Sequence, residues 1–241
     1  MKHSFLRAIG VIAGKELKAY FNSPVAYVVI VVFLGLVGYF FQATLFLNNI
    51  ASLRVVFDTV PVVFLFIVPA VTMRLLSEEW KGGTMELLIT KPVRDAEIVL
   101  GKFLAAWAFL AAALLPTLFY YATIASLGAM DHGPVIGGYL GLLLMGGVYA
   151  AAGLFGSSVT QNQIVAFIIG FLIVFFLFLV DKTLMLLPSW LAGPAGYLGI
   201  EYHFSGIARG VIDTRNIVYF FSMIAFFLYL TTVSMERRSW S

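Results

Sequence analysis

A lysine follows a glycine twice in this chain, at Gly14-Lys15 and Gly101-Lys102, and nothing else in it comes nearer to a phosphate site. A phosphate-cradling loop needs Gly-x-x-x-x-Gly-Lys-Ser/Thr, so that backbone N–H groups wrap the phosphates and the hydroxyl takes a magnesium ion. Here Glu16 follows Lys15 and Phe103 follows Lys102, and no upstream glycine stands at the required distance. Nucleotide binding by that route is excluded. The histidines His3, His132 and His203 fall in three separate regions without H-E-x-x-H spacing, and cysteine is absent. That leaves no thiolate metal site, no disulfide framework and no clustered imidazoles. No catalytic residue, metal or cofactor is expected on this chain.

The elements that carry these residues are written in apolar blocks. Of 241 residues, 61% are hydrophobic, 16% aromatic and 11% charged, against about 45–50% apolar and about 25% charged in a soluble domain. The excess lies in long uninterrupted runs, the pattern of membrane spans. A net charge of +3 is too small and too scattered for a nucleic-acid surface. The lipid bilayer is the expected surrounding. Charge is almost missing from the middles of the runs: Asp58 and Asp181 lie toward ends, and Gln42 is the most polar residue well inside the first. Ion-coupled carriers place carboxylates or histidines at membrane depth, so a carrier or a charged-filter channel is disfavoured.

Six spans are expected, over 24–46, 55–76, 98–127, 135–156, 164–180 and 217–235. Each is close to the roughly 20 apolar residues that cross a hydrocarbon core of about 30 Å. Pro61 and Pro69 should bend the second, and Pro116 lies inside the third. An even number of spans puts both termini on one side. With that side cytoplasmic, the inner segments hold eleven Lys and Arg residues and the outer ones only Arg54, Lys182, Arg209 and Arg215. That asymmetry follows the positive-inside bias. Residues 2–22 keep charges throughout and lack a compact apolar run, unlike a cleavable signal. The expected class is all-α integral membrane, one domain over 1–241.

Residues 4–22 read as an amphipathic interface helix. At about 100° per residue, Arg7, Gly14, Lys15, Lys18 and Asn22 share one sector, with Phe5, Ile9, Ala13, Leu17 and Tyr20 on or near the other side. The lysines would face anionic lipid or a protein partner. Ser23 offers an N-cap and Pro24 an N1 residue for the first span. Glu16 projects opposite the basic sector. Either it snorkels or pairs locally, or it pairs with another cytoplasmic element.

Two further stretches have structural character. Small residues at Gly137/Gly141, Gly147/Ala151 and Ala152/Gly156 let the fourth span pack closely, within the subunit by default and otherwise across a dimer. The outer segment 184–214 is too apolar for a loop and too broken by Gly and Pro to span. It reads as short re-entrant helices covered by the spans, with Trp190, Tyr197 and Tyr202 suited to the interfacial belt. Glu201, His203, Arg209 and Asp213 are read as pairing there rather than as touching substrate.

Between spans 2 and 3 lies "SEEWKGGTMELLITKPVRDAE", residues 77–97, with eight charges around Met85, Leu87, Leu88 and Ile89. Gly82-Gly83 should end the preceding helix. Thr84 can cap a short new one over 81–91, Glu86 lies in its first turn where the dipole favours a carboxylate, and Pro92 ends it. Asp95 can then cap span 3, with Glu97 in its first turn. A short cytoplasmic helix with exposed apolar residues, held between two spans, suits a groove in a soluble partner; lying flat on the headgroups is the alternative.

The same residues resemble the signature of ABC-2-type permeases. "LLSEEWKGGTMELLITKPVRDAEIVLGKFLAAW" (75–107) is similar to that pattern in its acidic pair Glu78-Glu79, then Gly83, Thr84, Glu86, Leu87, Leu88, Pro92, Gly101 and Lys102. The resemblance implies that the segment is a coupling helix seated on a nucleotide-binding subunit. It also implies an N-terminal interface helix and re-entrant helices between spans 5 and 6. Where the family commonly has a Ser-Arg cap before span 3, this chain has Arg94-Asp95. "KELKAYFNSPVAYVV" (15–29) and the ending from Tyr202 resemble the gliding-motility-associated branch.

The resemblance thus implies a permease subunit of an ATP-driven exporter in a bacterial inner membrane, with both termini cytoplasmic. ATP and Mg would be bound by a separate cytoplasmic ATPase, a second permease subunit would complete a homo- or heterodimer, and an auxiliary membrane-anchored protein could join. The rival readings are a non-transporting scaffold for a gliding or secretion machine and an ion-coupled carrier.

Overall fold

In the computed structural model the residues described are 5–47, 52–84, 93–127, 131–183, 196–211 and 213–239. They form α1 (Phe5–Phe21), α2 (Pro24–Gln42) with a π turn over Ala43–Leu47, α3 (Arg54–Thr72) and α4 (Arg74–Lys81). Then come α5 (Asp95–Leu114), a 3₁₀ turn over Leu115–Thr117, α6 (Leu118–Leu127), α7 (His132–Val159), α8 (Gln163–Thr183), α9 (Ile200–Ala208) and α10 (Thr214–Ser239). No strand occurs among the described residues. Among the described residues six helical stretches are long and apolar enough to cross a membrane: Pro24–Leu47, Arg54–Lys81, Asp95–Leu127, His132–Val159, Gln163–Thr183 and Thr214–Arg238. The all-α, six-span expectation holds.

Three of these exceed what a bilayer needs, His132–Val159 with 28 residues among them. Arg54–Lys81 has 28 residues and Asp95–Leu127 has 33. At about 1.5 Å per residue all three are far longer than a hydrocarbon core of about 30 Å. The excess of Arg54–Lys81 and Asp95–Leu127 lies beside α1. A Cβ added at Gly101 would lie 2.7 Å from Ile12, and the Tyr20 ring stacks on Phe109 at 5.1 Å. Eight residues separate these contacts on each helix, so α1 runs along the first half of α5 in the same direction. The apolar side of α1 is therefore covered by protein: Ala8, Ile9 and Tyr20 are buried, while Arg7, Lys15 and Lys18 stay exposed. Ser23 accepts a hydrogen bond from the Val25 N–H (3.3 Å) and Pro24 opens α2, as the sequence suggests.

The second span runs helically through Pro61 and Pro69 and breaks one turn later, at Met73. The Leu76 and Ser77 amides both donate to Ser157 Oγ at 3.0 Å, and that hydroxyl donates to the Met73 carbonyl at 2.7 Å. One serine on α7 thus satisfies the backbone groups that the break would leave bare.

Helix α7 is the axis of the bundle. Its apolar stretch is 78% buried, against 22% for the spans that begin at Pro24, Gln163 and Thr214. The small residues explain how it is covered on nearly every side. A Cβ at Gly156 would meet the Gly170 amide at 2.8 Å, one at Gly153 would meet Thr72 Oγ1 at 2.1 Å, and one at Gly141 would meet Phe204 at 2.8 Å. Gly137 lies against the Ile207 carbonyl and Gly147 against Trp107 and Ile224. These are contacts within the subunit, the default reading of the small-residue pairs. At the start of span 3, Arg94 rather than Asp95 is the N-cap. Its N–H donates to Glu97 Oε2 at 2.9 Å, because a carboxylate three residues into the helix reaches back where one at the first helical position does not.

Candidate coupling site

At the end of the bundle that holds α1, a buried lysine joins three helices. Lys102 Nζ on α5 stands 2.8 Å from Glu79 Oε1 on α4 and 3.1 Å from Glu16 Oε1 on α1. The lysine side chain is 1% exposed and each carboxylate 16%. An ammonium so enclosed persists only when paired. Of the two readings open for Glu16, pairing with another element is the one observed. A second Glu79 oxygen, Oε2, is buried without a hydrogen-bond partner among the described residues.

Tyr20 closes the site on the membrane side. Its hydroxyl donates to the Val71 carbonyl at 2.8 Å, and the Arg74 guanidinium lies over its ring at 4.9 Å. Burial pushes the phenol well above its ordinary pKa, which keeps it a neutral donor. Glu78, Glu79, Arg74, Lys15, Gly82 and Thr84 line a cavity of about 500 Å³ next to Lys102.

Helix α4 ends here. The Gly82 N–H bonds back to the Glu78 carbonyl at 2.9 Å, and Gly83 turns the chain at φ 66°, a conformation that favours glycine. Thr84 Oγ1 donates backward to the Glu79 carbonyl at 3.4 Å. The expected coupling-helix residues Met85, Glu86, Leu87, Leu88 and Pro92 lie outside the described residues. Their flanks are fixed: α4 leads in from Glu79, α5 leads out toward Lys102, and Lys102 ties the two helices to each other and to α1.

The opposite end has its own polar frame. Asp181 Oδ2 accepts the Glu201 N–H at 2.7 Å and the Tyr202 N–H at 3.3 Å, so the last turn of α8 caps α9. Lys182 Nζ pairs with Glu201 Oε1 at 2.7 Å. His203 is buried, with Nδ1 2.8 Å from Asn216 Oδ1 and Nε2 3.1 Å from the Tyr197 carbonyl, and its ring stacks on Tyr219 at 3.9 Å. Asp213 accepts the Arg215 N–H at 2.9 Å at the start of α10. Glu201 and His203 thus join a structural network; Arg209 and Asp213 are not drawn into it. Sequence reasoning missed Asp181, Ser157 and Tyr20 as organising residues. Among the described residues no three His, Asp or Glu side chains gather as a metal site would need.

A family model described as ABC-2 family transporter protein matches residues 11–197. The chain belongs to the ABC-2 transporter family. No curated protein matches it. As an ABC-2 family protein it is a multi-pass transmembrane permease component, and the Lys102 site lies within the matched residues, as do spans one to five.

Proposed function

We propose that this ABC-2 family chain is the permease subunit of an ATP-driven exporter, with the α1 end and both termini in the cytoplasm of a bacterium and the spans in its inner membrane. ATP and Mg are bound by a separate ABC ATPase. A second permease subunit, identical or similar, completes the transmembrane part, and a membrane-anchored auxiliary protein can join. Sequence resemblance over 15–29 and from Tyr202 onward supports the gliding-motility-associated branch.

One observation carries the reading: Lys102 holds Glu16 and Glu79 together at the foot of spans whose excess length extends past a bilayer. A force on the 81–91 segment enters α4 and α5 directly and reaches α1 through the buried ion pairs. Closure of the ATPase pair against Glu86, Leu87 and Leu88 would then move the interface helix and spans 2 and 3 as one body. Through Ser157 the motion continues into α7. Such repacking opens a route for an exported amphiphile or polymer.

The test is whether an adjacent reading frame encodes a Walker A protein and whether that protein co-purifies with this chain, followed by vanadate-sensitive ATPase activity and ATP-dependent substrate movement in proteoliposomes. Capture without movement would mark a scaffold. Nucleotide hydrolysis or uphill flux by the chain alone would overturn the reading.

A further inference from the structure

Away from the ATPase-facing end, spans 2 and 4 and helix α9 wall a cavity of about 720 Å³. Its interior is apolar and buried, with Phe57, Val135 and Phe204 among the lining residues. Four of its charged side chains are exposed, Arg54, Asp58, Asp131 and Arg209, and the fifth, Glu201, is half-buried and already paired with Lys182. The four exposed ones have few partners within the chain. Arg54 and Asp58 stand 3.8 Å apart with 87% and 70% of their side chains in the open, a pair worth little in solvent. Asp131 accepts one backbone N–H, from Gly133. Arg209 makes no ion pair among the described residues.

We propose that this cavity binds a phospholipid whose headgroup carries both a phosphate and a primary ammonium with N–H groups to donate, as phosphoethanolamine does and phosphocholine does not. Guanidinium groups at Arg54 and Arg209 match phosphate oxygens in a planar, two-bond geometry. The carboxylates of Asp58 and Asp131 take the ammonium and repel a headgroup that is anionic alone. The apolar interior takes the glycerol and the first acyl methylenes, whose burial adds affinity without direction. The place fits as well, because Arg54 and His132 begin candidate spans and headgroups lie where spans begin. The inference does not depend on an ATPase.

The full chain is reconstituted, without any ATPase, into nanodiscs of phosphatidylcholine containing equal minor fractions of phosphatidylethanolamine and phosphatidylglycerol. Retained lipid is then counted by native mass spectrometry. Phosphatidylethanolamine should be retained in preference to phosphatidylglycerol. The Arg54→Ala plus Arg209→Ala variant should lower its retention about tenfold, as expected from losing about 1.4 kcal/mol of phosphate contact. Asp58→Asn plus Asp131→Asn should shift the preference toward phosphatidylglycerol. All four side chains are exposed, and unchanged elution on gel filtration checks folding. Equal retention of the two lipids, or retention that survives the double arginine change, overturns the proposal. So does glycerophosphoethanolamine displacing the lipid at equal concentration, which would make the ligand a soluble ester.

Discussion

Glu16 and Lys102, 86 residues apart in sequence, stand 3.1 Å from one another across the contact between α1 and α5. The same ammonium is 2.8 Å from Glu79. Replacing it by an apolar side chain of similar length would leave two carboxylates facing each other in a largely water-free site. Lys102→Met is therefore expected to destabilise the protein by about 3 kcal/mol, the lower end for a broken buried pair because both carboxylates keep some solvent. Thermal unfolding in detergent checks this. The combination with Glu16→Gln and Glu79→Gln should recover much of the loss, which a purely steric role for the lysine would not allow.

Ser157 predicts a local effect. In Ser157→Ala the Leu76 and Ser77 amides lose the side-chain oxygen they share, while the Met73 carbonyl keeps the Ser77 hydroxyl as a donor. A cost of about 2–3 kcal/mol follows from leaving buried backbone groups unpaired. Hydrogen exchange should accelerate at Leu76 and Ser77 and stay unchanged in α1.

Two of the glycines should behave oppositely. Gly156→Val drives a branched side chain against the Gly170 amide and the Ala166 carbonyl, which lie 2.8 and 3.0 Å from a mere Cβ. A loss of about 1–3 kcal/mol or more is expected from such overpacking. At Gly14 nothing lies within 4 Å of an added Cβ, so Gly14→Ala should stabilise α1 by up to about 1 kcal/mol through helix propensity. Unfolding midpoints of the two variants should move in opposite directions.

Asp181→Ala removes the acceptor that caps α9. Asp181 Oδ2 holds the Glu201 and Tyr202 amides, and a cap of this kind is worth about 1 kcal/mol. Amide exchange at 201–202 should quicken in that variant, with the Lys102 site unaffected.

What could be read from the chain was what repeats or what punctuates. Apolar runs, the Ser23-Pro24 start of α2 and the Gly82-Gly83 end of α4 carry their own local causes. Glu16 was visible as a carboxylate on the wrong face of its helix. Its partner was not, because the register between α1 and α5 is set by Ile12 fitting over Gly101, a contact with no periodic trace. Asp95 misled for a related reason: Glu97 competes for the same cap, and geometry settles it. Ser157 gave one signal that passed unread. A hydroxyl within the glycine-rich α7 can come close enough to a neighbouring backbone to donate and accept there, whereas Pro69 is no guide to it, since its missing N–H frees only the carbonyl of Leu65.

The account rests on force entering between Lys81 and Lys91. The most direct measurement is capture of the proposed ATPase partner by the Glu86→Lys plus Leu87→Asp variant, purified beside the unaltered chain. Stoichiometric capture and vanadate-sensitive turnover by the unaltered chain, with both lost in the variant while gel-filtration behaviour is kept, is the predicted result. A variant that assembles and turns over ATP as the unaltered chain does would contradict it.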